Sequence, residues 1–125
     1  MAPRRESIVY CLTRDHELAA QLDARLGAAL TFFYNDGARL HQALILRAPA
    51  LAIVDTDAIR PEFGDAGLGP VIHFLRLRAP EVRIGVRPKS AADWLVGAEA
   101  GREVTMLPAE REACIEAVVE LCGCG

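Results

Sequence analysis

No apolar run in the 125-residue chain approaches the roughly 18 residues that a membrane-crossing helix requires. Met1–Ser7 carries charge but lacks the apolar core of a signal peptide, so a soluble, cytoplasmic protein is the expectation. Basic charge is not in excess either. The net charge is −3 with both signs interleaved, which argues against a nucleic-acid-binding surface in this domain. There is no GxGxxG or Walker loop to cradle phosphates, and no Ser/His/Asp or Cys/His set stands at the predicted strand ends. A nucleotide binder or small enzyme therefore finds little support. The four cysteines do not form a framework: Cys11 falls in a strand, Cys114 in a helix, and Cys122 and Cys124 form a single CxC. A metal site needs spaced ligand pairs, and only one pair exists. Cys11 and Cys114 read as reduced structural thiols, which pack like small hydrophobes. Internal repeats and low-complexity segments are absent.

What is present suits one folded domain. The chain is long enough for a single core, and its 52% hydrophobic and 25% charged residues are ordinary for a soluble protein. It is organised around Pro49–Asp55, where Leu51, Ala52, Ile53 and Val54 run unbroken into one acid. A run this short and apolar reads as a strand buried on both faces, hence a central parallel strand. In open α/β sheets, chemistry gathers at the carboxyl ends of strands, so Asp55 is the first candidate functional residue. The competing reading is structural: an acid closing a strand starts a turn or caps the next element.

Ser7–Leu12 is a short apolar strand. Asp15 then stands as N-cap of a helix whose stripe is Leu18, Leu22, Leu26 and Leu30, ending near Ala29. Thr31–Tyr34 is a second strand, closed by the turn signal Asn35–Asp36–Gly37. A helix over Ala38–Arg47 turns Leu40, Ala43 and Leu44 inward. Beyond Asp55, Thr56–Pro70 has no apolar periodicity and is long for a strand-to-helix connection, which predicts a functional or mobile loop. A helix resumes over Gly69–Arg78 with Leu68, Val71, Ile72 and Leu75 on one face and His73 and Arg76 on the other. Val82–Val86 is a fourth strand, Ser90 caps a helix over Ala91–Ala100, Val104–Leu107 is a fifth strand, and Ala109–Cys122 is the last helix. Trp94 reads as core filler, with a partly exposed anchor as the alternative. Five strands and five helices in alternation specify an α/β fold: a five-stranded parallel sheet, doubly wound. The domain is expected over residues 7–122, with short tails at 1–6 and 123–125.

The order of ALAIVD ending in Asp55, the helix Gly69–Arg78 running into APEVRIGV, the AEAG turn at Ala98–Gly101, and Pro108 after the fifth strand resembles the receiver (CheY-like) domain of two-component response regulators. The resemblance covers roughly Ser7–Cys122 and implies the flavodoxin/CheY-like (βα)5 fold. In that family the aspartate ending strand three accepts a phosphoryl group. Two acids after strand one hold Mg2+ beside it, and a Thr or Ser after strand four and a Lys before the final proline respond to the phosphate. Carried over residue by residue, only Asp55 is kept. The acidic pair falls on Thr13 and Arg14, with Asp15 one position later. The hydroxyl falls on Arg87 or Pro88, with Ser90 slightly beyond. The lysine falls on Leu107, ahead of Pro108, and the switching aromatic falls on Val104.

Phosphoryl transfer needs positioned cations on the phosphoryl oxygens, and Mg2+ needs an oxygen-rich octahedral site. A pocket of Asp55, neutral Thr13 and cationic Arg14 offers neither. The resemblance thus implies a pseudo-receiver: no enzyme, no cofactor, and signalling by protein–protein contact or homodimerisation. Its surface is expected on the fourth helix, fifth strand and fifth helix, where receivers pair. The rival is a divergent receiver phosphorylated at Asp55, with Mg2+ held by Asp15 or Asp57. Arg14 is expected to reach Asp55 and take the metal's place through two parallel donors; the alternative leaves Arg14 in solvent and Asp55 capping backbone amides.

Overall fold

The computed structural model describes residues 8–26, 30–63, 68–89 and 104–123. Five parallel strands form one sheet: β1 (Ile8–Leu12), β2 (Leu30–Tyr34), β3 (Leu51–Asp55), β4 (Arg83–Arg87) and β5 (Val104–Met106), in the order β2-β1-β3-β4-β5. The described helices are α1 (His16–Arg25), α2 (Gly37–Leu46), α3 (Thr56–Phe63), α4 (Leu68–Arg78) and α5 (Arg111–Gly123). This is the expected doubly wound α/β class. Among the described residues no helix is long and apolar enough to cross a membrane.

The central strand behaves as its composition demands. All of β3 is buried, and its alternating side chains feed two cores. Ala52 and Val54 join Tyr10, Leu12, Leu40, Leu44, Val71 and Leu75 under α2, α3 and α4. Leu51 and Ile53 join Val9, Cys11, Leu18, Leu22, Cys114 and Val118 under α1 and α5. Alternation along a strand places residues two apart on one face, so Asp55 belongs to the α1/α5 side.

Helix starts follow local chemistry. Asp15 accepts the Leu18 amide at 3.0 Å, and Asp36 accepts the Arg39 amide at 2.8 Å, each capping its helix. Two expectations fail here. The first helix, α1, ends at Arg25, and Leu30, read as the last of its stripe, opens β2 instead. Thr56 begins α3 directly after Asp55, where a long loop over Thr56–Pro70 was expected. The helix has eight residues and buries Ala58 and Ile59, which is too short a stretch to show a period among glycine and proline signals. A further shift moves the fourth strand one residue along, to Arg83–Arg87. The expected helix at Ala91–Ala100, with Ser90, Trp94 and the AEAG turn, lies outside the described residues.

Candidate functional site

The site grows from sheet register. Asp55 on β3 pairs directly with Arg87 on β4, so both side chains leave the carboxyl edge together on the α1/α5 side. Asp55 and Arg87 are buried, with side chains only 2% and 6% exposed. Arg87 Nη1 donates to Asp55 Oδ2 at 3.1 Å. The Thr13 hydroxyl, one residue past β1, donates to the same oxygen at 3.0 Å. Asp55 Oδ1 accepts the Asp57 amide at 3.3 Å, which makes Asp55 the cap of α3. Both carboxylate oxygens are therefore engaged by the fold itself.

Arg87 makes further contacts that hold it in place. Its Nη1 also donates to Asp15 Oδ2 at 2.9 Å, and its Nε donates to the Ala109 carbonyl at 2.9 Å. Asp15 in turn accepts from Arg111 Nε at 3.1 Å, and Arg111 Nη1 donates to Glu17 at 2.8 Å. The result is a chain of alternating charge, Asp55–Arg87–Asp15–Arg111–Glu17, running from the core to solvent. Burial alone would raise the Asp15 pKa, but the Leu18 amide, Arg87 and Arg111 outweigh it and hold the carboxyl well below its usual range. Burial would likewise lower the Arg87 pKa, and the hydrogen bond to Asp15 with the charge of Asp55 raises it instead. Two thiols lie in the apolar core beneath. Burial raises Cys11, and pushes Cys114 up to about 11, so neither is a ready nucleophile.

The remaining predicted positions fall as follows. Arg14 does not reach Asp55: it is exposed, and its Nε donates to the Asn35 carbonyl at 3.3 Å. The arginine that does reach it comes from the adjacent strand, because ladder register sets Arg87 beside Asp55 while Arg14 leaves β1 toward β2. Asp57 is exposed and pairs with Lys89 at 3.1 Å. Pro88 is buried and Pro108 exposed. Leu107 is fully buried in the α1/α5 core, where its Cδ1 lies 3.1 Å from the point a Gly85 side chain would occupy. Val104 is half-buried on β5. Ser90 and the first helix of the expected pairing surface lie outside the described residues. Arg111 was not anticipated; its place one residue after Glu110 in the last helix gave no local sign of a partner near residue 15.

A divalent cation fits these residues poorly. The two carboxylate oxygens that would face it, on Asp15 and Asp55, already share one guanidinium nitrogen, and the third neighbour is the Thr13 hydroxyl. Mg2+ requires near-octahedral oxygen ligation, which a buried guanidinium opposes both by charge and by occupying the space. Among the described residues no cluster of three or more His, Cys, Asp or Glu is placed to hold a metal ion.

No family model matches the chain, and no curated protein matches it in sequence. In structure it is similar to a response regulator from Thermotoga maritima, with a TM-score of 0.69 at 12% identity, over 95% of this chain and 99% of that one. At that identity the likeness is one of fold, and the fold is response-regulator-like.

Proposed function

We propose that this chain is a non-catalytic pseudo-receiver: a signalling module that keeps the receiver fold, has lost its phosphoryl chemistry, and acts through protein–protein contact without a cofactor. One observation carries the reading. Asp55, at the phospho-acceptor position, has Oδ2 held by Thr13 and Arg87 and Oδ1 capping α3. A carboxylate must present a free oxygen to attack phosphorus, and cations must meet the transferred oxygens. Here Arg87, the one buried cation among the described residues, is spent on the carboxylate, and Leu107 stands at the position of the family's lysine. The fold is retained as a scaffold, and function on such a scaffold is carried by surfaces.

The rival reading is a divergent receiver that is phosphorylated at Asp55 with Mg2+ beside Asp15 or Asp57. It is favoured by the convergence of Asp15 and Asp55 on one nitrogen of Arg87, since loss of that arginine would leave two carboxylates facing each other. One assay separates the two. After incubation with Mg2+ and acetyl phosphate or phosphoramidate, the intact mass is expected to stay unchanged. A phosphoryl adduct that disappears in Asp55→Asn would overturn the pseudo-receiver reading.

A further inference from the structure

On the sheet face opposite Asp55, α2 and α4 lie side by side and present positive charge mixed with exposed apolar side chains. Arg39 and His41 on α2, Arg47 just after it, and His73 and Arg78 on α4 are all exposed, and Arg76 is half-buried. Neither Gly37–Leu46 nor Leu68–Arg78 contains an acid. Among the described residues the nearby acids are Asp36, which caps α2 and sits 3.4 Å from Arg39, Asp57 at the start of α3, where it pairs with Lys89, and Glu81 beyond the end of α4. The chain as a whole is nevertheless acidic, at −3, with Glu17, Asp23, Glu112, Glu116 and Glu120 on α1 and α5. The described parts of α2 and α4 thus carry bases and no acid, whereas acids outnumber bases on α1 and α5.

Among the bases stand Ile45, Leu46 and Leu77, which are 58%, 86% and 65% exposed. Between the first half of α2 and the middle of α4 there is a cavity of about 280 Å3, lined by Leu12, Leu40, His41, Val71, Phe74 and Leu75 among others. Among the described residues no formally charged side chain lines it, and the His41 ring stacks on Phe74 with centroids 4.5 Å apart. Ile45 is one helical turn beyond His41, and Leu77 one turn beyond Phe74, so the apolar seam continues from the cavity to the exposed residues.

We infer that this α2–α4 seam docks an acidic amphipathic helix of a protein partner, one apolar side chain filling the cavity and flanking carboxylates meeting Arg39, Arg47 and Arg78. The inference rests on the reading of the chain as an interaction module, and names its surface and the chemistry of its partner. An apolar stripe in a groove between helices is a recurrent mode of helix recognition, and an arginine rim selects for acids. An anionic bilayer would match the charge, but it offers no single side chain to fill a cavity, so the concave site favours a helix.

The probe is a fluorescein-labelled synthetic helix with leucine at i, i+3, i+4 and i+7 and glutamate on its other face. A lysine/leucine helix of the same pattern is the control. Saturable binding of the acidic helix is expected, weakening with salt, with amide NMR shifts centred on Leu40, His41, Phe74 and Leu77. The control helix and the double variant Ile45→Glu/Leu77→Glu should each bind at least about tenfold more weakly. Both substituted residues are largely in solvent, so the variant keeps its fold, which its amide spectrum verifies. Absence of saturable shifts, shifts confined to α1 and α5, or equal binding by the double variant would overturn the inference. So would preferential binding to phosphatidylserine vesicles, or self-association abolished by the double variant, which would assign the face to a bilayer or to a second copy. None of these outcomes bears on Asp55. A phosphoryl adduct would overturn the module reading even if the helix binds.

Discussion

Arg87 delivers a full positive charge to a carboxylate that is itself almost out of water, so removing either group alone strands the other. Leaving one partner of a buried ion pair uncompensated costs about 3–5 kcal/mol, whereas deleting both costs less. Arg87→Ala is therefore expected to be strongly destabilising, and Arg87→Ala/Asp55→Ala to fall short of the summed losses. A double-mutant cycle read by denaturant unfolding checks this, and additivity within about 0.5 kcal/mol would remove the coupling. Arg87→Lys should not restore the wild-type value. A lysine has no fork to reach Asp55, Asp15 and the Ala109 carbonyl together. Arg14 provides the internal control: it is exposed and bonded to a loop carbonyl, so Arg14→Ala should shift stability by no more than about 0.5 kcal/mol.

At the scale of elements, β4 packs closely against its neighbours at Gly85. A Cβ on Gly85 would meet Ile53 Cδ1 at 3.0 Å and Leu107 Cδ1 at 3.1 Å. Ile53 is on the neighbouring strand, and Leu107 follows β5 with its amide donating to the Val86 carbonyl at 2.7 Å. Gly85→Ala requires Ile53 and Leu107 to give by a few tenths of an ångström in a packed core, and overpacking of this kind costs about 1–3 kcal/mol. An unchanged unfolding midpoint would mean that the core yields there freely. The same packing suits a leucine at residue 107, which lies in an apolar core against Ile53 and Gly85. The start of α3 is likewise a junction of elements, since Asp55 both ends β3 and caps the helix that follows.

For the whole molecule, the alternating charges from Asp55 to Glu17 join β3, β4, α1 and α5 across the carboxyl edge of the sheet. Asp15 is the middle of that chain and has its pKa lowered, so the sign of its pH dependence is determined. A carboxylate with a depressed folded pKa contributes stability that is present above its unfolded value and lost as pH falls through the folded one. Unfolding midpoints measured against pH should therefore decline as pH drops below the ordinary carboxyl value of 3.8, and Asp15→Asn should flatten that acid limb. An identical acid limb in the variant would rule Asp15 out as its source. Much of this architecture is legible in local pattern. Apolar runs of strand length, leucine stripes at helical spacing, and an acid at a helix start each act within a few residues, which is why the parallel sheet, the central β3, the cap Asp15, and the prominence of Asp55 can be read from the chain. The helix at Thr56–Phe63 escapes such reading, because eight residues with apolar positions at Ala58 and Ile59 make no period. The partner of Asp55 escapes it for a different reason. Arg14 and Arg87 carry the same charge and both lie within two residues of a strand end, and only the register between β3 and β4, set by the packing of whole strands against both cores, puts Arg87 beside the carboxylate and leaves Arg14 in water.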